Sequence, residues 1–518
     1  MANKTLFKSL VGKLIPAADA RNDHGAPAYA LTPKQALAQY AATGCLGTTF
    51  YAHAEEQLAK ILELCALVEP EFVAKTAVYA RRRGLMKDTP ALLLAFLAAR
   101  DVRLLAAVFP RVVDNGKMLR NFVQIVRSGV AGRKSLGTAP KRLVREWLEA
   151  RDADAVFRAS VGRSPSFADV LKMVHPKPRD PEREALYGYL VGREFDAGAL
   201  PALVREFEAF KAGDRASVPD VPFQMLTALD LGTAEWTAIA RRAPWQMTRM
   251  NLNTFVRHGV FDQPGMTELV ANRLADPEQV KRARVFPYQL LVAYASAGAG
   301  VPAAVRDALQ DAMETAISNV PRVDGKVYVF PDVSGSMQSP VTGYRKGSTT
   351  AVRCVDVAAL VAAAVLRRNP RAEVLAFEHE VVEGLSLNPR DSVMTNAQRL
   401  AAVGGGGTNC SAPLALLNRR KAVGDLVVYV SDNESWVDAR GGRGTATMRE
   451  WAAFKRRNPR ARMVCIDVQP YQTVQAANTP DVLNVGGFSD AVFGLLADFA
   501  EGRTGPDHWV GVIEQVAL

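Results

Sequence analysis

The chain has 518 residues, more than one hydrophobic core usually organises, which predicts two or three domains. Hydrophobic residues make up 48% and charged residues 23%, ordinary globular composition that excludes a mostly disordered chain. The net charge of +11 is unevenly placed: residues 321–518 hold 22 Lys+Arg against 20 Asp+Glu, +2, which leaves +9 on residues 1–320. The first part is thus the candidate surface for a polyanion such as nucleic acid, because each neutralised phosphate releases a condensed counterion.

The opening residues carry Lys4, Lys8 and Lys13, and the last of these interrupts any signal-peptide apolar run. The longest uncharged apolar runs, 90–99 and 357–366, are about half of what crosses a bilayer, so neither a membrane span nor a membrane partner is expected. Five scattered cysteines, 45, 65, 354, 410 and 465, include no CxxC pair. That pattern implies neither a disulfide framework nor a zinc knuckle, and a reducing cytoplasm is the expected compartment. Residues 1–320 then read as helix after helix. Leu58, Ile61, Leu62 and Cys65 share one face of 54–66, and Val305, Leu309, Met313 and Ile317 recur at four-residue steps in 301–320. Similar amphipathic blocks fall near 71–83, 89–99, 118–128, 140–150, 201–211, 236–243 and 287–297, separated by breakers that include Pro70, Pro90, Pro110, Gly132 and Pro165. Almost no strand alternation is visible. Short helices with short connections predict an α-solenoid of stacked helix pairs over 1–320, although no fixed sequence period is present.

After Pro321 the rhythm changes. A buried strand (327–330) precedes Asp332, a polar loop and a helix over 352–368; 373–377 and 381–387 read as strands. The glycine loop 404–407 leads into a helix near 413–420, then come a strand at 425–430, a helix at 446–457, a strand at 463–468 and a helix at 490–500. Strand alternating with helix predicts a doubly wound, Rossmann-like α/β domain with a parallel sheet over 321–518.

Within that domain Asp332, Ser334 and Ser336 lie just beyond the first strand, Thr408 follows the glycine loop, and Asp432 lies at the end of the 425–430 strand. In a parallel sheet these ends share an edge, where ligands bind. Two carboxylates and three hydroxyls converging there predict an all-oxygen site for a hard divalent cation, Mg²⁺ or Mn²⁺. Asp332 and Asp432 would supply charge, and Ser334, Ser336 and Thr408 would coordinate directly. A strand-end Asp followed by Ser also caps helices, but capping does not account for Thr408 and the second Asp at the matching strand ends. The ordered set resembles the metal-ion-dependent adhesion site of von Willebrand factor A domains, with all five liganding positions filled.

In the helical half, residues 111–145 carry nine basic side chains against the single acid Asp114. Arg120 and Arg127 are spaced to share a helix face, as are Lys141, Arg142 and Arg145 beside Trp147. Arg133 and Lys134 sit among glycines in a plausible phosphate-clamping loop, and Lys172, Lys177 and Arg179 surround His175. A solvated helix face is the plain alternative for such runs, and a lone His is more often structural than a nucleotide contact. Three segments, 22–64, the SLG at 135–137 before KRLVREW, and FADVLKMVHPKP at 167–178, together resemble the TROVE module of Ro (SS-A) ribonucleoproteins, in a bacterial-type member.

That resemblance implies a HEAT-like helical-repeat ring over 1–320 followed by a von Willebrand A domain. It implies binding of non-coding, Y-like RNA and of misfolded or structured RNA with single-stranded ends, in RNA quality control or processing. An exoribonuclease is the implied protein partner, and no DNA is expected. It places Lys141, Arg142, Arg145, Lys172 and His175 in the RNA-binding region. The segment between Trp147 and Phe167 is more compact than in animal members. No GxxxxGKS/T, HExxH, GxSxG or CxxC occurs, and His53-Ala54-Glu55 has no PCxxC to complete a deaminase zinc site, so no enzyme is expected. Two other readings remain: a metal-dependent protein-adhesion module, and an accessory subunit of an ATPase-driven chelatase.

Overall fold

The computed structural model of this chain describes residues 15–43, 53–285, 287–320, 322–341, 352–437, 444–469, 471, 473–487, 490–502, 505 and 507–518. Eight strands occur among them: β1 (Ala20–Arg21), β2 (Pro27–Ala30), β3 (Val327–Pro331), β4 (Glu373–Val374), β5 (Leu426–Ser431), β6 (Arg462–Asp467), β7 (Thr473–Val474) and β8 (Val482–Gly486). The fold is all-α followed by α/β, as the residue patterns predict. Two compact units divide the described chain. One takes the residues up to Leu67, Val280–Ser296 and Leu309–Gln515; the other takes Val68–Gln279, Ala297–Ala308 and Val516–Leu518. The units are therefore interleaved in sequence, whereas the sequence reading places one boundary near 320.

In the helical unit helices from Pro70 to Glu149 pack on the next but one, and several also on the next. Pro70–Arg82 meets Asp88–Arg100 and Val102–Val112; Asp88–Arg100 also meets Gly116–Ser128; Val102–Val112 also meets Thr138–Glu149. That is the packing of stacked helix pairs. Residues 89–98 are buried on every side, as a helix in the middle of a layer must be. Local chemistry sets the ends: Asp101 Oδ1 accepts from the amides of Arg103 and Leu104 at 2.9 and 3.0 Å, and Gly129 closes Gly116–Ser128 at φ +83°. Pro110, expected as a separator, lies inside the Val102–Val112 helix. It sits in the last turn, where a single intrahelical hydrogen bond is lost.

In the α/β unit five parallel strands run in the order β4-β3-β5-β6-β8. Strands β3 and β5 are buried at every position, the mark of a sheet covered on both faces. The Cys354–Arg368 helix is buried along almost its whole length. The expected strand at 381–387 does not form: only the bridge Phe377–Val381 does, because the chain turns back at Glu378–Glu380 and bends again at Gly384, φ +74°. The fifth strand, β8, escapes the sequence reading because Asn484 interrupts its apolar run; inside the fold that amide donates to Ala476 O at 2.9 Å and Asn478 Oδ1 at 2.8 Å.

The amino-terminal residues also depart from the all-helical expectation. β1 and β2 pair antiparallel, and β2 continues onto β7, so Tyr29 lies opposite Val474. Tyr29 joins the core of the α/β unit with Phe330, Tyr429 and Trp451. Tyr29→Ala should cost about 3 kcal/mol, as truncation of a buried aromatic does. Hydrogen exchange should show the loss as faster exchange at β5 and β6 amides, with the helices of 70–149 unchanged.

Candidate functional site

The parallel register brings the carboxyl ends of β3 and β5 together. The Asp332 amide donates to Val430 O at 2.9 Å, and Ser431 Oγ donates to Asp332 Oδ2 at 2.5 Å. The Ser334 amide donates to Asp332 Oδ1 at 2.9 Å, the Ser334 and Ser336 hydroxyls lie 3.3 Å apart, and the Ser336 hydroxyl helps hold down the proton affinity of the neighbouring Asp432 carboxyl. Four of the five residues expected at the site thus form one connected cluster. Thr408, equally buried, is held beside it through the backbone. The Gly335 amide donates to Gly406 O at 2.8 Å on one side, and the Thr408 carbonyl accepts from the amides of Trp436 and Val437 on the other. Gly404 makes that approach possible: at φ +91° it brings its Cα so close to Val333 that an added Cβ would lie 2.2 Å from the Val333 carbonyl oxygen.

Electrostatics single the cluster out. Burial, with the neighbouring Asp432 charge second, pushes the Asp332 carboxyl up to about 7. Burial likewise raises Asp432, while the His24 charge pulls it down. Two further carboxyls that sequence reasoning missed belong here. Glu434 is pushed up to about 9 by burial and by the charges of Asp432 and Asp23, and Asp467, at the end of β6, is raised well above the usual range. Strand-end position was the available signal for Asp467. No signal in the sequence placed residues 22–24 at this site. Asn22 Nδ2 donates to Ser435 O at 2.8 Å, the Asp23 amide donates to Glu434 Oε2 at 3.1 Å, and the His24 ring lies 5.5 Å from Trp436. Segment 22–64, part of the TROVE resemblance, therefore begins beside the carboxylate cluster; its residues 44–52 lie outside the described ones.

The basic side chains of the helical unit divide into two groups. Arg133 Nη1 donates to Ala98 O at 2.7 Å, Arg145 Nε donates to Val174 O at 2.6 Å, and Arg120 turns its guanidinium onto the Gly162 loop. Carbonyls of the fold thus hold Arg133 and Arg145, and Arg120 is half-buried against its loop. Arg127, Lys134, Arg142, Lys172 and His175 are exposed, and Lys141 is partly so. Arg142 lies 3.4 Å from Glu146 across an exposed helix face, an ion pair of little strength. Lys134 lies over Gly129. Arg127 and Lys172 line a cleft of about 600 Å³ with Asp169 and Met173. His175 ends the Phe167–Val174 helix in the left-handed region, φ +47°, with its ring exposed beyond the cleft's lining residues. No described helix is long and apolar enough to cross a membrane.

Gly404→Ala should destabilise the α/β unit by about 2 kcal/mol or more, since both the φ angle and the 2.2 Å approach forbid a side chain. Thermal unfolding checks it, with Gly405→Ala, φ +131° and nothing within 4 Å of the added Cβ, as the control that carries backbone strain without the clash and so should cost less.

Comparison with known proteins finds two family models that match this chain. A family model described as the Ro60 vWA domain matches residues 326–500, and one described as the TROVE domain matches 169–299. Of the segments that carry the TROVE resemblance, only most of 167–178 falls inside the latter. The RNA-binding protein RO60 of Deinococcus radiodurans is 26% identical over 525 aligned positions, covering 93% of this chain and 95% of that protein. The RNA-binding protein RO60 of Caenorhabditis elegans is 23% identical over 271, covering 50% of this chain and 40% of its own. The crystal structure of Deinococcus radiodurans RO (RSR) protein shares the fold with a TM-score of 0.62 at 23% identity, covering 91% of this chain and all of that one. A TROVE-domain match thus precedes a Ro60-type von Willebrand A match in this chain, which is similar over nearly its whole length to a Ro protein.

Proposed function

We propose that this chain is an RNA-binding ribonucleoprotein component that acts without catalysis of its own. The observation that carries the reading is the group of exposed cations on three helices, Arg127 on Gly116–Ser128, Arg142 on Thr138–Glu149 and Lys172 on Phe167–Val174, with Arg127 and Lys172 lining one cleft. Relatives named as RNA-binding proteins and the +9 charge of residues 1–320 support it. Phosphates would meet these cations, and the bound species would be non-coding, Y-like RNA or structured RNA with single-stranded ends, whose unstacked bases are accessible where duplex is not. An RNA quality-control role in the cytoplasm, with an exoribonuclease as partner, belongs to the same reading. Replacing Arg127, Arg142 and Lys172 together by Ala should weaken RNA binding across sequences. It should also flatten the slope of log affinity against log salt by about two, measured by filter binding at several salt concentrations. Unchanged affinity and slope in a folded variant would remove this surface from the reading.

The oxygen cluster fits a divalent cation, Mg²⁺ or Mn²⁺. Its donors are hard oxygens, burial raises the proton affinity of both carboxyls, and the Asp432 charge raises that of Asp332 further. Ser334, Ser336 and Thr408 would hold the ion directly and Asp332 and Asp432 would supply charge. When bound, the ion offers a coordination position to an acidic group of a protein partner. Asp332→Ala should abolish Mg²⁺ and Mn²⁺ binding in calorimetry while leaving RNA affinity within about two-fold. Titrations identical to the wild type would reduce Ser334 and Ser336 to structural hydroxyls.

A further inference from the structure

The net charge of +2 on residues 321–518 conceals a separation. Thirteen of the 22 Lys and Arg there fall in four short connections, 322–326, 367–371, 419–421 and 455–462, with Asp324 the single acid inside them. The sheet brings these connections to one edge. Val327, Leu426 and Arg462 are register partners across β3, β5 and β6, and Tyr328 pairs with Glu373 of β4. Just outside the strands, the Asp425 amide donates to Lys326 O and the Arg462 amide donates to Asp425 O, both at 2.9 Å. The helices Cys354–Arg368, Ala412–Arg419 and Ala446–Arg457 end at the same edge, since each returns the chain to the start of a parallel strand.

Cations at helix ends commonly bind the last carbonyls. Some of these do so or bond nearby loops: Arg368 Nε donates to Val320 O, Lys455 Nζ donates to Pro459 O and Ala461 O, and Arg457 Nη1 donates to Ala453 O. Arg322, Arg371, Arg419, Lys421, Arg456 and Arg460 do not. All six are exposed, and none makes a side-chain hydrogen bond or ion pair among the described residues. Arg322 and Arg371 flank a cleft of about 390 Å³ floored by Gly325 and Asn369. With strands about 4.8 Å apart, the band from β4 to β6 is roughly 15 Å wide.

We infer that this amino-terminal edge of the sheet is a second RNA-contacting surface, binding the phosphodiester backbone; the inference rests on the RNA-binding reading above. Arginine predominates over lysine, and its planar fork matches phosphate oxygens in pairs. Val423, just after 419–421, is the one large exposed apolar side chain beside the connections among the described residues, and no exposed aromatic is present there for base stacking, so contact is to phosphate and indifferent to sequence.

The test is filter binding of a short RNA hairpin with a single-stranded 3′ tail to the full chain. The wild type is compared with a variant carrying Arg419→Gln, Lys421→Gln, Arg456→Gln and Arg460→Gln, exposed side chains that make no hydrogen bond or ion pair among the described residues. Affinity at moderate salt should fall about ten-fold, and the slope of log affinity against log salt should flatten by about three, equally for hairpins of unrelated sequence. An unchanged slope, while Arg127, Arg142 and Lys172 replacement still weakens binding, overturns the second surface and leaves the RNA reading standing. A wild type that does not bind the hairpin overturns both. Retained RNA affinity with lost binding of polyglutamate would make the edge a docking site for acidic protein and overturn the inference as well.

Discussion

The α/β unit depends on the in-register parallel pairing of β3, β5 and β6. Because the three strands point the same way, everything that follows a strand gathers at one edge and everything that precedes it gathers at the other. Carboxyl groups follow the strands here: Asp332 after β3, Asp432 after β5, Asp467 closing β6. Arginines and lysines precede them. One topological constraint therefore sorts the charge of a nearly neutral domain into an acidic edge and a basic edge.

Burial decides what the acidic edge can do. At the surface two carboxylates a few ångströms apart would cost little, since water screens them. Inside the fold the Asp332 carboxyl rises to about 7 and Glu434 to about 9. Hydrogen bonds from Ser334, Ser336 and Ser431 offset part of the cost, and a hard cation would offset more. The glycine loop 404–407 and the amino-terminal turn at 22–24 pack around the same spot. A segment more than three hundred residues upstream in sequence thus helps enclose the cluster.

In the helical unit the same residue type serves two ends. Arg133 and Arg145 satisfy carbonyls of neighbouring helices, which removes them from solvent and fixes the stacking of the pairs. Arg127 and Lys172, on helices of the same amphipathic kind, face outward. Net charge measures the sum of both groups; only the outward group is open to a polyanion.

The sequence by itself determined the change from helices to alternating strands and helices after Pro321. It also determined the five oxygen-bearing residues, because strand ends and glycine loops are local signals readable from a few neighbours. Periodicity placed the more strongly amphipathic helices for the same reason, but not the one that runs through Pro110, nor others such as Pro33–Thr43, Pro181–Val191 and Met266–Ala275. Tertiary structure decided what depends on distant partners. Tyr29 enters the α/β core because β2 finds β7, a pairing across more than four hundred residues that no local pattern announces. β8 forms because the sheet edge and Ala476 satisfy Asn484, and 381–387 does not form because the chain turns back first. Which arginines turn inward follows from which carbonyls lie within reach, and the basic edge exists only once parallel strands have aligned four separate connections. These are nonlocal hydrogen bonds and directions of side chains, which the order of residues along the chain does not contain.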